Sequence, residues 1–195
     1  MSKSHQTLLR TASAGRVTLD SVIQKSSPHF DARPDPTDIS LLVIHNISLP
    51  AGEFSTPYVD RLFMGCIESS CPASLQELIG LRVSAHLFID RQGVITQYVN
   101  LLDRAWHAGV SEFEGRSRCN DFSIGIELEG TDSQPYEEAQ YHSLDKVTRH
   151  ILDKFPKITL DRIVGHEHIA PGRKTDPGEG FDWRRYLSQL QSLPD

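Results

Sequence analysis

Ile39-Ser40-Leu41-Leu42-Val43-Ile44-His45-Asn46 is the stretch on which the fold class turns. From Leu41 to Ile44 every position is aliphatic, so the segment has no polar face to offer to water. A short apolar run of this kind reads as a strand buried on both sides. It ends at His45-Asn46. The proline-punctuated stretches Ser26-Ser27-Pro28 and Arg33-Pro34-Asp35-Pro36 precede it, and Pro50, Gly52 and Pro57 mark the loop 48–60 that follows.

Further along, Val83 to Asp90 predicts a second strand, Asp90-Arg91-Gln92-Gly93 a turn, and Val94 to Val99 the returning arm of a hairpin. Phe122 to Leu128 predicts another strand, interrupted by Gly125, and Arg162 to Val164 a short one leading to Gly165-His166. Short helices are expected over 58–65 and 73–80, either side of the Cys66–Pro72 turn. The clearest helix is Glu137 to Phe155, where Leu144, Val147, Ile151 and Phe155 share one face and Pro156 supplies the stop. A last helix, Asp182 to Leu190, carries Trp183, Tyr186, Leu187 and Leu190 on its apolar side. Residues 103–120 are rich in Gly, Arg and Ser and read as a long loop. Strands alternate with helices but one connection is a hairpin, so the expected class is α/β (α+β), a central mixed sheet flanked by helices. Residues 1–27 are expected to form an N-terminal arm with one edge strand, and 28–195 a single domain.

The chain has 195 residues, 38% of them hydrophobic and 24% charged, which excludes collagen-like, disordered and coiled-coil classes. A net charge of −6 with no basic stretch argues against a nucleic-acid partner. No apolar run reaches the ~18 residues of a membrane span. Met1 to Asp20 lacks the continuous apolar core of a secretory signal, so a cytoplasmic location and no membrane association are expected. Cys66, Cys71 and Cys119 are odd in number and form no Cys-x-x-Cys pair, which favours reduced thiols, although a Cys66–Cys71 bridge is sterically conceivable. A monomer is the default.

Nine histidines are many for this length, and their placement matters more than their number. His45 and His166 each follow a strand directly, and Asp176 sits in the loop Arg173-Lys174-Thr175-Asp176-Pro177-Gly178. Two imidazoles and a carboxylate make a catalytic zinc set with the fourth position left open. Spacing alone leaves a second reading, in which both are hydrogen-bonded histidines at strand ends. Glu127 and Glu129 lie two apart on a strand and share a face, so either could act as a base.

A wider pattern joins these positions. Leu42-Val43-Ile44-His45-Asn46-Ile47-Ser48-Leu49-Pro50, Leu81-Arg82-Val83-Ser84-Ala85-His86 and Arg104-Ala105-Trp106-His107-Ala108-Gly109-Val110 come first. Cys119-Asn120-Asp121-Phe122-Ser123-Ile124-Gly125-Ile126-Glu127-Leu128-Glu129-Gly130, Gly165-His166 and Ile169-Ala170-Pro171 to Gly178 follow in order. Over roughly residues 28–187 the chain resembles the AmpD-like branch of the amidase_2 family, which also includes T7 lysozyme-type amidases and peptidoglycan-recognition proteins. The resemblance implies the fold of those proteins and one Zn²⁺ held by His45, His166 and Asp176. It also implies Glu127 as acid/base and Lys174 as the stabiliser of the oxyanion. The implied reaction is hydrolysis of the amide between the lactyl group of N-acetylmuramic acid and L-alanine. The implied substrate is a small 1,6-anhydro-muropeptide from cell-wall recycling. By family analogy, loss of the protein would let muropeptides accumulate and derepress β-lactamase.

Other residues join the candidates on chemistry. Arg82 and Arg118 could bind substrate carboxylates in two-point geometry, or stand as surface charges. Trp106 could stack on a sugar ring or anchor its loop, and His107 in the same loop is a candidate substrate contact. Asn46 could orient substrate or ligand, or simply end the strand. His86 reads as a satisfied core histidine, and His168 as a surface or supporting residue rather than a ligand. Tyr58 falls near a catalytic tyrosine of the T7-type enzymes, but the loop before it aligns too loosely for assignment. Three other functions fit the pattern less well: a metal-free peptidoglycan-binding module, an exported amidase acting on intact wall, and a zinc peptidase cutting within the stem.

Overall fold

The computed structural model describes residues 15–19 and 21–192. Most of the segment read for a secretory signal, and the first half of the expected arm, lie outside the described residues. Six strands form the main sheet: β1 (Ile23–Gln24), β2 (Leu41–Ile47), β3 (Leu87–Ile89), β4 (Ile95–Gln97), β5 (Ser123–Glu129) and β6 (Ile163–Gly165). Their spatial order is β1-β4-β3-β5-β2-β6. β3 and β4 pair antiparallel across the Asp90–Gly93 turn, and every other neighbouring pair is parallel. The sheet is therefore mixed, as expected, and the apolar run that begins at Leu41 lies inside it between two parallel partners.

Helices α1 (Tyr58–Phe63), α2 (Glu138–Lys154), α3 (His166–Ile169) and α4 (Trp183–Gln191) complete the frame. One sheet face carries Leu42, Ile44, Ile124, Ile126, Leu128, Leu87 and Ile89 against Leu144, Val147 and Ile151 of α2 and Tyr186 and Leu190 of α4. Removing such side chains from water contributes roughly 1.5–3 kcal/mol each. The Tyr186 and Thr148 hydroxyls meet at 2.7 Å inside this layer, which satisfies both. Alternation then sends Leu41, Val43 and His45 to the opposite face, where Ala108, Cys119, Phe122 and Ile169 pack. The large helices thus cover one side and leave the other to loops.

Several sequence expectations change in detail. The strand expected over Val83 to Asp90 contracts to Leu87–Ile89, because the backbone amides of Ser84 and His86 bond to Trp106 and Gly125 outside the regular ladder. The helix expected at 73–80 is a 3-10 helix, Ala73–Leu78. The 103–120 loop contains structure of its own. Arg104–Ala105 pairs with Phe30–Asp31, and Glu112–Phe113 pairs with Arg116–Ser117. β1 is the expected edge strand, and Val17 before it is buried in the core. Cys66, Cys71 and Cys119 are free thiols. Among the described residues no helix is long and apolar enough to cross a membrane.

Candidate active site

The parallel run β5-β2-β6 ends on one side of the sheet, and the chemistry collects there, just beyond the strands' carboxyl ends. The β2–β5 register sets His45 beside Glu127. The β2–β6 register pairs Gly165 with Ile44, so His166, the next residue, arrives next to His45. Asp176 is brought in by its loop. Its carbonyl accepts from the Glu167 amide at 3.0 Å, at the start of α3. Gly165 leaves room for this loop, since a Cβ there would lie 2.8 Å from Cδ of Pro177. Asn46 Nδ2 donates to the Pro177 carbonyl at 3.1 Å and to Asp132 at 2.8 Å, and Tyr136 Oη donates to the same carbonyl at 2.9 Å. Thr175 Oγ1 donates to Asp132 at 2.6 Å. Asn46 therefore ties the end of β2 to the Asp176 loop.

Three candidate ligand atoms converge. Nδ1 of His45 and Nδ1 of His166 are 3.0 Å apart, and each lies 3.1 or 3.0 Å from Oδ2 of Asp176. Zinc bound tetrahedrally at about 2.0–2.1 Å would separate its ligands by roughly 3.3 Å. The triangle and its two-nitrogen, one-oxygen donor set fit such an ion. The outer ring nitrogens fit it too. His166 Nε2 donates to the Ala108 carbonyl at 3.1 Å, which leaves Nδ1 as the lone-pair atom. His45 Nε2 is 2.9 Å from His107 Nδ1, and His107 Nε2 is 3.1 Å from Ser123 Oγ. Burial brings the His45 pKa down to about 4 against the pull of Asp176, so the ring is neutral near pH 7, as a ligand must be. Burial raises the Asp176 carboxyl, but the His166 and His45 rings packed against it outweigh burial and hold the group below the usual carboxylate range.

The triangle opens into a cleft of about 250 Å³, lined among others by Glu127, Lys174, Asn46, Trp106, His107, Ile47, Leu62 and Val83. Glu127 is buried, and its Oε2 has no hydrogen-bond partner. Burial lifts its pKa well above the usual range and Asp176 adds to the effect, opposed by Lys174. A carboxyl that holds its proton more firmly than usual is suited to acid/base exchange. Glu129, on the same face, is committed elsewhere: it accepts from the backbone amides of Ser55 at 2.6 Å and Arg91 at 3.2 Å. Lys174 is exposed at the mouth of the cleft.

The remaining candidates separate by place. Trp106 lines the cleft, and its Nε1 donates to Asp31 at 3.1 Å, so wall and anchor are one residue. The Arg82 guanidinium lies 4.9 Å from the Trp106 ring centre and borders the adjoining hollow with His29. Arg118 does not line the cleft; it is exposed and pairs with Asp121 at 3.3 Å. His107 lines the cleft, but its Nδ1 is engaged by His45. His86 is fully buried: Nδ1 accepts from the Gly125 amide at 3.0 Å and Nε2 lies 3.0 Å from the Asp103 carbonyl. His168 is exposed, and its Nδ1 accepts from the Gly165 amide at 2.9 Å, outside the triangle. Tyr58 opens α1 under the Arg61 guanidinium and does not line the cleft. Sequence reasoning missed Asn120, Ala108 and Asp132, which hold the ligand-bearing loops. The one available signal was Gly125, since a glycine inside a strand marks close approach by another group. That group is His107, which would lie 2.5 Å from a Cβ at this position.

The chain is 58% identical over 168 residues to the Haemophilus influenzae protein named 1,6-anhydro-N-acetylmuramyl-L-alanine amidase AmpD, covering 86% of this chain and 91% of that one. A crystal structure of a selenomethionine AmpD derivative superposes with a TM-score of 0.85 at 52% identity, over 88% of this chain and 96% of that one. The Escherichia coli amidase AmiD has been solved as a complex with anhydro-N-acetylmuramic acid-L-Ala-D-gamma-Glu-L-Lys. It superposes with a TM-score of 0.59 at 30% identity, over 82% of this chain and 60% of that one. Residues 35–179 match the Amidase_2 profile, and the chain belongs to that family of N-acetylmuramoyl-L-alanine amidases.

Proposed function

We propose that this chain is a monomeric, cytoplasmic zinc amidase that releases L-alanine-linked stem peptides from 1,6-anhydro-N-acetylmuramic acid during cell-wall recycling. In this reading residues 28–195 are one catalytic domain preceded by an arm, 1–27. The observation that carries it is the 3.0–3.1 Å triangle of His45, His166 and Asp176 at the floor of a cleft, with Glu127 in register beside His45. The anhydro-muropeptide preference rests on the name of the Haemophilus influenzae relative and on the ligand in the AmiD complex.

His45, His166 and Asp176 hold one Zn²⁺, which when bound supplies Lewis-acid activation of water and of the scissile carbonyl. Glu127 takes the proton that the attacking water gives up and delivers it to the departing alanine nitrogen. Its raised pKa and unpartnered Oε2 suit it to hold that proton between the two steps. Lys174, at the mouth, places its ammonium toward the oxygen that gains negative charge. Trp106, braced by Asp31, forms the wall for the anhydro sugar, and Arg82 over its ring meets a stem carboxylate. Failure of this activity would leave muropeptides to accumulate, and by family analogy would derepress β-lactamase.

The test is mass spectrometry of products from an anhydro-muropeptide and, in parallel, from intact sacculi, with and without chelator. Free anhydro-N-acetylmuramic acid plus the whole stem, chelator-sensitive and faster from the fragment, is the expected result. Cleavage within the stem would refute the choice of bond. Faster release from sacculi would refute the recycling role.

A further inference from the structure

His107 and Ala108 are consecutive residues, and each serves a different ligand. The His107 imidazole takes the outer nitrogen of His45 at 2.9 Å, and the Ala108 carbonyl takes the outer nitrogen of His166 at 3.1 Å. The backbone of this dipeptide is held from behind. The Asn120 carboxamide oxygen accepts from the His107 amide at 3.1 Å and from the Ala108 amide at 2.8 Å. Asn120 lies in the short 3-10 turn Cys119–Asp121 that leads into β5 and does not line the cleft. The far side is also fitted. Gly125 leaves the space in which the His107 ring lies, and Ser123 Oγ meets the ring's second nitrogen at 3.1 Å. Arg173 donates to the Ala108 carbonyl at 2.7 Å, fixing the acceptor that His166 uses.

An imidazole binds a metal through whichever nitrogen lacks the hydrogen, and the partner of the other nitrogen makes that choice. Both choices here depend on one dipeptide. We propose that the His107-Ala108 dipeptide, pinned through both amides by Asn120, sets the ring tautomers of His45 and His166 together, and that Asn120 is a positioning residue for the metal. This rests on the zinc reading above. Asn120 acts only through its oxygen, so an aspartate keeps the function and a leucine of similar shape does not.

The test uses the full chain stripped of metal, with Zn²⁺ affinity read by competition against a chromophoric chelator and ligand geometry read from the visible spectrum of the Co²⁺-loaded protein. Asn120→Leu is expected to weaken Zn²⁺ binding 10–100-fold and shift the Co²⁺ bands, with Asn120→Asp within about threefold of the parent. His107→Leu provides a second route should Asn120→Leu fail to fold. It removes the partner of the outer His45 nitrogen while leaving Asn120 and the backbone in place, so a chain that still shows a cooperative metal-free melt should lose Zn²⁺ affinity 10–100-fold. Parent-like affinity and spectra in a folded Asn120→Leu or His107→Leu chain would overturn the proposal. A parent chain that takes up no Zn²⁺ would overturn it together with the zinc reading, whereas a parent that binds Zn²⁺ and cleaves nothing would leave the positioning role to stand or fall on the variants.

Discussion

Glu127 stands directly beside His45 across two parallel strands, and it is buried with one carboxylate oxygen unpartnered. Two residues on, Glu129 shares its face but spends its oxygens on the amides of Ser55 and Arg91. The two carboxylates should therefore fail differently. Glu127→Gln should lower kcat by about 10²–10⁴ with little change in KM or melting temperature. Glu129→Ala should cost about 2 kcal/mol in denaturant unfolding by stranding two backbone donors, with kcat much closer to the parent. Equal loss of kcat in both would sink the assignment of Glu127 as the base.

Lys174 lines the mouth of the cleft, and its charge reaches Glu127. Lys174→Ala should reduce kcat by about 10²–10³, the usual loss for one oxyanion donor, with substrate affinity nearly kept. Steady-state kinetics with saturating metal decides this. A change confined to KM would make Lys174 a binding residue instead.

Metal removal should be visible without any substrate. Three buried nitrogen and oxygen atoms lie within 3.1 Å of one another, so an ion bound among them would tie three segments of the chain together. At free Zn²⁺ one hundred times the dissociation constant, the folded state should gain about 2.7 kcal/mol. Differential scanning calorimetry with and without chelator measures this, and readdition should restore it.

Gly125 is needed for its emptiness. Gly125→Ala drives a Cβ to within 2.5 Å of the His107 ring, so it should destabilise the fold by about 1–3 kcal/mol and weaken Zn²⁺ binding together. An alanine variant with parent-like unfolding and metal affinity would show that the ring moves freely.

His86 gives a pH signature. Burial, and then the nearby Arg33 charge, lower its pKa from 6.5 to about 3. The unfolded chain binds this proton more readily than the folded one. Stability from the neutral ring is therefore complete above pH 6.5 and is lost as the pH falls toward 3, at up to about 1.4 kcal/mol per pH unit. His86→Gln should flatten that slope by one proton's worth in urea melts across the interval. An unchanged slope would place the ring in water.

What could be read from the residues was whatever depends on local pattern. The four-residue aliphatic run announced an interior strand, and the spacing of Leu144, Val147 and Ile151 announced α2 to within a residue at each end. The grouping of His45, His166 and Asp176 is reached from the residues only through resemblance, because His45 and His166 are 121 residues apart and the β2–β6 register joins them. The roles of Ala108 and Asn120 were hidden for another reason. One acts through a carbonyl, which no side chain advertises, and the other through backbone amides in a loop of irregular course. Following Trp106 in a glycine-flanked loop, His107 looks in sequence like a substrate contact; its bond to His45 is a tertiary fact. The shortening of the strand at 83–86 has the same origin, since those amides bond to the Trp106 loop and to Gly125.

β6 is one of the two outermost strands, three residues long, and the candidate ligands His166 and Asp176 follow it while His45 sits one strand further in. A border strand has a neighbour on one side only and is where a sheet frays first. An ion held by all three side chains would fasten that border to the interior. Amide hydrogen exchange along 163–178 would then slow on metal loading far more than in the α2 core, so the catalytic ion would double as a clasp whose loss is felt first as local opening.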